Sequence, residues 1–285
     1  MAGAAIAGSV GEALSSAVDA LAAAGVQTPR LDAEVLLAQA TGLDRARLIA
    51  DPDAGLAAGA ARQFGEGVRR RLRREPLAYV LGRKGFRRIE LAVDRRVLVP
   101  RPESELLVEL ALELSPRRAL DVGTGSGAIA LAIADELPQC EVTATDASAA
   151  ALEVARANAA RLGLAARVEF VAGTLPPSPE GTGFELIVAN LPYVAETEWP
   201  SLEPEVTEWE PREALLAGAD GLDAYRELTS TLGLQPRPAS PGAVGLEVGQ
   251  GQAPAVADLL EGAGYGNIEA RPDLAGIERV VVGWR

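Results

Sequence analysis

Residues 119–127 read Ala-Leu-Asp-Val-Gly-Thr-Gly-Ser-Gly, and this stretch decides the fold. A short run of strand character leads directly into a glycine-rich loop, and a helix rich in Ala, Ile and Leu follows. Glycine permits a sharp turn and a close approach of the backbone to a ligand, and the first N–H groups of a helix attract an anionic group. The stretch therefore predicts a cofactor loop, whose candidate binding residues are Asp121, Gly123, Thr124, Gly125, Ser126 and Gly127.

An acidic residue follows at the spacing that a nucleoside-binding unit needs. The next strand ends in Thr145-Asp146, and Asp146 lies nineteen residues after Gly127. A carboxylate at this place accepts hydrogen bonds from the two hydroxyls of a ribose. The combination favours a nucleoside-bearing cofactor and leaves open whether this is a dinucleotide or S-adenosylmethionine. The alternative is a tight glycine turn that binds no ligand.

Short apolar runs alternate with helical stretches throughout the second half of the chain. This pattern predicts an α/β fold with a parallel, doubly wound sheet whose two faces are covered by helices. The predicted strands are 119–122, 141–145, 168–171, 186–189, 243–248 and 280–283, and the predicted helices are 126–136, 148–163, 220–232 and 252–263. Residues 235–241, which contain three prolines, are predicted to form a loop.

The first part of the chain has a different character, because Ala and Leu dominate it and no strand-like alternation is present. Residues 10–75 predict a small bundle of four or five helices. Residues of β-type with glycine breaks then predict a hairpin, and a helix is expected to begin near Ser104. The predicted domains are a helical domain at 1–75, a β-hairpin linker at 76–100 and a cofactor-binding domain at 101–285.

A second motif, Asn-Leu-Pro-Tyr at 190–193, follows the fourth predicted strand of the sheet. Ligands of open α/β sheets bind beyond the carboxyl ends of the strands. Pro192 holds Leu191 extended, so that main-chain carbonyls and the Asn190 side-chain oxygen can accept the N–H groups of a planar –NH2 group. Such acceptors orient a weakly nucleophilic nitrogen and favour the positive charge that develops on it. The alternative is an ordinary loop after a buried strand.

Composition excludes several kinds of site. The chain has no histidine and one cysteine, Cys140, which argues against a metal centre, an internal disulfide and histidine-based catalysis. No apolar run approaches the length that spans a bilayer, and a reducing cytoplasm is the simplest expectation. The net charge of −13 argues against a surface that binds nucleic acid as a whole. Neither a membrane nor a nucleic-acid partner is expected.

The charge is unevenly distributed along the chain. Residues 69–101 contain twelve Arg or Lys against three acidic residues, so this basic segment is +9 and the remainder is −22. Such a segment is either a solvated surface or a docking surface for an acidic or phosphate-bearing partner, and the sequence leaves both open.

The motifs together resemble those of the HemK/PrmC family, the N5-glutamine methyltransferases of peptide-chain release factors. The resemblance extends over almost the whole chain, and a prominent motif is Pro-Arg-Pro-Glu-Ser-Glu at 100–105, in which Ser104 replaces a threonine of the family signature. Further matching motifs are Thr-Pro-Arg-Leu-Asp-Ala-Glu at 28–34, Pro-Leu-Ala-Tyr-Val-Leu-Gly at 76–82, the cofactor loop at 121–127, Glu210-Pro211, Asp-Gly-Leu-Asp at 220–223, Leu-Glu-Val-Gly at 246–249, Asp273, Gly276 and Arg279.

The resemblance implies a Rossmann-like class I S-adenosylmethionine-dependent methyltransferase with a seven-stranded, mostly parallel sheet. It implies methyl transfer from S-adenosyl-L-methionine, with S-adenosyl-L-homocysteine as product, to N5 of the glutamine in the Gly-Gly-Gln motif of class 1 release factors. A monomer is expected. Catalysis is assigned to Asn190, Pro192 and Tyr193, and substrate binding to Asn190, Leu191, Pro192, Tyr193 and Glu103. Thr174, Leu175 and Asn190 are assigned to the cofactor together with Asp146 and the loop residues.

Two positions depart from the family pattern. The family's Asn-Pro-Pro-Tyr has Leu191 as its second residue here, and activity is expected to survive because Pro192 still favours an extended Leu191. The family usually has an acidic residue after the third strand, near the adenine, where this chain has Gly173-Thr174-Leu175. Thr174 can accept a hydrogen bond there, and Leu175 can cover the ring.

Three alternatives remain at this point. An N6-adenine DNA or RNA methyltransferase would use the same acceptor motif, but it would need a basic or aromatic grip on nucleic acid. A nicotinamide-dependent oxidoreductase would explain the glycine loop and leave the acceptor motif unexplained. A catalytically silent binding module would be consistent with Leu191 and Thr174.

Overall fold

The computed structural model describes residues 6–174, 183–233 and 242–285. Two compact units are present, Met1–Gly82 with Glu203–Trp209 and Arg83–Leu202 with Glu210–Arg285. We call them the helical unit and the sheet unit. The sequence did not indicate that Glu203–Trp209 belongs with the N-terminal helices, and the predicted boundaries at 75 and 100 stay predictions. The predicted loop at 235–241 and the predicted adenine contact Leu175 lie outside the described residues.

Helices and strands are numbered in chain order over the described residues. The α-helices are α1 Val10–Ala23, α2 Pro29–Thr41, α3 Arg45–Ala50, α4 Ala58–Leu72, α5 Leu77–Leu81, α6 Glu105–Leu114, α7 Ala128–Glu136, α8 Ala149–Arg161, α9 Pro204–Thr207, α10 Asp223–Gly233 and α11 Ala253–Gly262. The strands are β1 Ile6–Ser9, β2 Gly55–Ala57, β3 Arg83–Phe86, β4 Ile89–Ala92, β5 Arg118–Val122, β6 Glu141–Asp146, β7 Val168–Ala172, β8 Leu186–Ala189, β9 Ala243–Glu247, β10 Gly266–Pro272 and β11 Glu278–Trp284.

The helical unit contains the small bundle that the Ala- and Leu-rich sequence predicted. Ser9 and Glu12 form a capping box at the start of α1, and Pro29 occupies the first turn of α2. The apolar faces of these helices meet in a core that includes Leu21, Leu37 and Phe64. A two-stranded sheet of β1 and β2 accompanies the helices, and its strands are too short for alternation to indicate them.

Buried charges join residues 203–209 to the helical unit. Arg71 is 6% exposed, and its side chain donates to the Asp32 carboxylate at 2.7 Å and forms an ion pair with Glu205 at 2.8 Å. Arg74 forms ion pairs with Glu203, at 2.6 Å, and with Glu205. A buried arginine needs such partners, because an unpaired charge inside a protein is strongly destabilising. Two arginines of the basic segment therefore form ion pairs within the helical unit. The role of the basic segment as a docking surface stays a prediction.

The sheet unit is built on seven strands in the order β10-β11-β9-β8-β5-β6-β7. Strands β9, β8, β5, β6 and β7 are parallel neighbours, and β11 runs antiparallel between β9 and β10. This confirms the α/β fold with a seven-stranded, mostly parallel sheet. The sequence did not indicate β10, because none of its residues is buried and no apolar run marks it.

The centre of the sheet fixes where the two motifs meet. Strands β5 and β8 are adjacent and parallel, and Val122 pairs with Ala189 at their carboxyl ends. The cofactor loop begins after Val122 and the acceptor motif begins after Ala189, so both leave the same edge of the sheet side by side. A core that includes Leu120, Val122 and Ala189 holds these strand ends in place.

The predicted hairpin is present over a shorter range than the sequence indicated. Strands β3 and β4 pair antiparallel between Arg83 and Ala92, whereas α5, at 77–81, was expected to have β structure and is helical. Pro76 is the N-cap of this helix, and Gly82, at a φ of 72°, ends it in the left-handed conformation that glycine favours. Within the described residues no helix is both long enough and apolar enough to cross a membrane.

Candidate active site

A cavity of about 450 Å3 opens at the carboxyl ends of the central strands of the sheet unit. Its size lies within the range that small-molecule sites usually have. Predicted site residues among its lining are Gly123, Gly125, Asp146, Thr174, Asn190, Leu191 and Pro192. The two motifs that the sequence singled out therefore share one cavity.

The cofactor loop needs its glycines for two different reasons. Gly123, Gly125 and Gly127 all have positive φ, at 75°, 56° and 85°, which other residues adopt only with strain. A Cβ on Gly127 would lie 2.9 Å from Leu131 Cδ1, whereas one on Gly125 would meet no atom within 4 Å. Gly127 therefore leaves room for the Leu131 side chain one turn further along α7, and Gly125 keeps the backbone open toward the cavity.

Asp121 supports the cofactor loop from behind. Its side chain is 1% exposed, and Oδ2 accepts hydrogen bonds from Thr124 Oγ1 at 2.6 Å and from Ala130 N at 3.1 Å. Burial raises the pKa of this carboxyl to about 7, while the bond from Thr124 acts in the opposite direction. Oδ1 has no protein partner. Asp121 and Thr124 thus support the shape of the loop, and the cofactor contacts of Asp121, Thr124 and Ser126 stay a prediction.

Asp146 lies at the end of β6 with its carboxylate against the loop. Oδ2 accepts the main-chain N–H of Gly125 at 2.8 Å, and Oδ1 accepts that of Ser148 at 2.8 Å. Each carboxylate oxygen has a second lone pair, so these two bonds leave capacity for two hydroxyl donors. The predicted ribose acceptor is held in a fixed orientation at the cavity wall.

Asn158 is a residue of the site that the sequence did not reveal. It lies in α8, is fully buried, and accepts from Ala92 N at 2.7 Å through its side-chain oxygen. Its Nδ2 donates to the carbonyls of Ala92 and Ser126, at 3.0 and 2.9 Å. It therefore ties the hairpin strand β4 to the cofactor loop. No local pattern marks such a residue, because these main-chain partners lie far away in the sequence.

The acceptor motif presents a side chain whose orientation is already decided. Asn190 Nδ2 donates to Ser104 Oγ at 3.0 Å, so the side-chain oxygen is the group that remains for a ligand. Leu191 is 7% exposed and would contact a Cβ placed on Gly123, at 3.5 Å. Leu191, the residue of the acceptor motif that departs from the family pattern, therefore packs against the cofactor loop.

Tyr193 lies beside the cavity and is not part of its described lining. Its carbonyl accepts from Gln252 Nε2 at 3.0 Å, and its ring would lie 3.1 Å from a Cβ on Gly249. Burial raises the pKa of its hydroxyl, and the Glu247 carboxyl acts in the same direction. The matching motif at 246–249 thus packs against the acceptor motif.

Glu103 also lies outside the described lining, near a cluster of charged side chains. Its negative charge acts on Glu247, which is 2% exposed and whose pKa burial raises to about 7. The neighbouring Arg101 forms an ion pair with Glu210 at 2.7 Å, and burial raises the pKa of Glu210. The assigned substrate role of Glu103 stays a prediction.

Two family models match the chain, the PrmC N-terminal domain at residues 12–82 and the methyltransferase small domain at residues 102–203. A release factor glutamine methyltransferase of Moorella thermoacetica is 44% identical over 279 residues, which cover 96% of this chain and 98% of that protein. One of Caulobacter vibrioides is 39% identical over 276 residues, which cover 95% of each chain.

Solved structures agree with the fold. The catalytic domain of hMettl16, in complex with a MAT2A 3′UTR hairpin, aligns with a TM-score of 0.52 over 68% of this chain and 75% of that one. A methyltransferase of Pyrococcus furiosus aligns with a TM-score of 0.50 over 68% of this chain and 87% of that one. Sequence identities of 16% and 20% limit both comparisons to the fold.

The strand order, the glycine loop and the acceptor motif define a class I methyltransferase of the S-adenosylmethionine-dependent type. The identity over nearly the full length of both chains then decides the family. The chain belongs to the release factor glutamine methyltransferase family, which confirms the resemblance seen in the sequence.

Proposed function

We propose that this protein transfers a methyl group from S-adenosyl-L-methionine to the side-chain amide nitrogen of the glutamine in the Gly-Gly-Gln motif of class 1 release factors. The observation that carries the proposal is the Asn190 amide, which is held by Ser104 in the cavity that the glycine loop also lines. Asn190 thereby offers an acceptor to a planar –NH2 group beside a site for a nucleoside-bearing cofactor.

The residues at the cavity fit S-adenosylmethionine. Asp146 would hold the ribose hydroxyls, the open backbone at Gly125 would lie against the amino-acid part, and Thr174 would lie toward the adenine. Apolar side chains such as Val97 and Leu228 line the same cavity and would cover a ring. When bound, this cofactor supplies an activated methyl group.

The chain's own residues orient the acceptor and need no strong base. The Asn190 oxygen and a main-chain carbonyl of the acceptor motif would each accept one N–H of the glutamine amide, which directs the nitrogen lone pair into the cavity. The same acceptors favour the positive charge that develops on nitrogen during transfer. This is consistent with a chain that has no histidine.

The helical unit would dock the release factor, residues 76–100 would act as linker and residues 101–285 as the transferase domain. The protein would work in the cytoplasm as a monomer. Sedimentation analysis checks the monomer, and a dimer at micromolar concentration would contradict it.

Mass spectrometry of a class 1 release factor after incubation with enzyme and cofactor tests the function. We expect one methyl group on the glutamine of Gly-Gly-Gln and none when that glutamine is replaced by asparagine. Asn190→Ala should lower kcat at least about 100-fold, because an acceptor aimed at developing charge is lost, and should leave cofactor affinity within about threefold. Methyl transfer to adenine in DNA or RNA, with none to the release factor, would refute the proposal.

A further inference from the structure

Two buried polar side chains and the partly exposed Asn190 form a series of polar contacts that ends at the acceptor motif. Asn190 Nδ2 donates to Ser104 Oγ at 3.0 Å, and Ser104 lies close enough to Glu247 to lower the pKa of its carboxyl through a hydrogen bond. Ser104 and Glu247 are 3% and 2% exposed. The three residues come from three separate places, the segment before α6, the acceptor motif and the end of β9.

The number of protons available decides which group donates in each contact between Glu247, Ser104 and Asn190. Ser104 has one hydroxyl proton, and an ionised Glu247 can only accept, so the proton points to Glu247. The Ser104 oxygen then faces Asn190 as an acceptor and requires the –NH2 group of the amide on that side. The side-chain oxygen of Asn190 is thereby directed away from Ser104. If Glu247 were protonated, it could donate instead, and the opposite amide orientation would become equally acceptable to Ser104.

The surroundings of Glu247 bring the pKa of its carboxyl close to neutral pH. Its Oε2 atom is buried without a protein partner, and burial raises the pKa of the carboxyl to about 7. Glu103 raises this pKa further, whereas Ser104, Arg279 and Arg101 lower it. Two tyrosines complete the environment, because Tyr193 lies in the field of Glu247 and the Tyr225 hydroxyl donates to its main-chain carbonyl at 2.6 Å.

We propose that Ser104 and Glu247 are positioning residues that fix the Asn190 amide with its oxygen toward the substrate nitrogen. The substrate part of this inference rests on the proposed function. Two acceptors must face the two N–H groups of the glutamine amide, and a reversed Asn190 would place a donor against a donor. The ionised Glu247, acting through Ser104, excludes the reversed orientation before substrate binds.

The side-chain amide of Asn190 can be observed directly in the ligand-free protein. The chain has three asparagines, Asn158, Asn190 and Asn267, so 15N-asparagine labelling gives three side-chain –NH2 signals. We expect the Asn190 signal to move with a midpoint near pH 7 and to lose this movement in Glu247→Gln and in Ser104→Ala. The Asn158 and Asn267 signals report in each variant whether the fold is intact.

A second buried carboxyl needs a control, because the pKa of Asp121 is also raised to about 7. In the Asp121→Asn variant the Asn190 signal should keep its movement near pH 7. An Asn190 signal that does not respond to pH, or that responds unchanged after Glu247→Gln, would overturn the inference. A movement that disappears only with Asp121→Asn would overturn it as well. None of these readings depends on the identity of the substrate.

Kinetics then test the consequence for methyl transfer. Ser104→Ala should lower kcat roughly tenfold or more, because the loss of one buried hydrogen bond in the transition state corresponds to a change of this size. The same variant should change cofactor affinity little. Ser104→Thr should restore most of that loss, since it returns a hydroxyl to the same place. The matched control is Thr229→Val, which removes a buried hydroxyl that bonds its own helix and should keep kcat.

The pH profile separates positioning from a general loss of packing. In the unmodified enzyme kcat should fall as pH decreases through about 7, because Glu247 becomes protonated. Glu247→Gln should have a lower kcat without this limb. If Ser104→Ala matched the unmodified enzyme in kcat, the positioning role would be wrong even with release-factor methylation intact. If the unmodified enzyme did not methylate the release factor, the proposed function would fail, and the amide signals would still decide the orientation.

Discussion

At the scale of single residues, two buried carboxyls carry much of the site's electrostatics. Asp121 and Glu247 each have an oxygen without a protein partner and a pKa raised to about 7 by burial. The sequence indicated Asp121 from its place before the glycine loop, and Glu247 from a matching motif. It did not indicate burial, which depends on the strands and helices that pack around each side chain.

Asp121 should make the protein less stable as the pH rises. The folded-state pKa of about 7 exceeds the ordinary value of 3.8, so the folded protein binds this proton more tightly than the unfolded chain. The free energy of unfolding should therefore fall between about pH 4 and pH 7 and level off above. At about 1.4 kcal/mol per pKa unit the effect is at most about 4 kcal/mol.

Denaturant unfolding of Asp121→Asn across this pH range measures the effect. The variant keeps an acceptor for Thr124 and should show a shallower decline than the unmodified protein, with its largest relative gain above pH 7. Asp258→Asn, at an exposed position in the same unit, is the control and should leave the pH dependence unchanged. Parallel curves for Asp121→Asn and the unmodified protein would contradict the assigned pKa.

At the scale of elements, the sequence predicted what depends on local patterns. The parallel strands β5, β6, β7, β8 and β9 were predicted to within a residue or two at each end, because short runs of apolar and β-branched residues between helical stretches mark them. Helix α5 was predicted as β structure, since five residues are too few for a helical period to be recognised. Asn158 and Ser104 were not assigned to the site, because their partners come from distant segments.

The cofactor loop gives a prediction at this scale. Gly127→Ala combines a positive φ with a Cβ only 2.9 Å from Leu131 Cδ1, whereas Gly163→Ala, at a φ of 74°, would meet no atom within 4 Å. Both variants should therefore lose about 1 kcal/mol through backbone strain, and Gly127→Ala should lose roughly 1–3 kcal/mol more through overpacking.

Thermal unfolding and cofactor titration check this comparison. We expect Gly127→Ala to have the lower Tm and a weaker affinity for S-adenosyl-L-methionine, while Gly163→Ala binds it normally. Equal Tm values for the two variants would mean that α7 adjusts to the added methyl group, and the tight packing at Gly127 would then be no constraint.

At the scale of the whole molecule, the chain does not divide into consecutive units. Residues 203–209 belong to the helical unit although the sheet unit precedes and follows them in the sequence. Arg71, Arg74 and the carbonyl of Arg73 contact this segment through Glu205, Glu203 and Trp209. No sequence pattern indicated this, because ion pairs between residues so far apart in the chain leave no local pattern.

Removing the buried charge of this segment should be costly. Glu205→Gln leaves Arg71, which is 6% exposed, with one carboxylate partner fewer, and should lower the free energy of unfolding by roughly 3 kcal/mol. Glu203→Gln removes the negative charge of a side chain that is 54% exposed and should lower the free energy of unfolding by less than about 1 kcal/mol. Denaturant unfolding of the full chain measures both, and equal effects would show that the Arg71 contact contributes little.

Because residues 203–209 belong to the helical unit, fragments and domain fusions of this protein are restricted. The polypeptide passes from one unit to the other three times, at Gly82–Arg83, Leu202–Glu203 and Trp209–Glu210. A fragment that begins at Arg83 would carry Glu205 and Trp209 without the groups that they contact. A gene fusion that replaces the N-terminal region with another binding module would also remove the partners of Glu205 and Trp209. We therefore expect the two units to be inherited together.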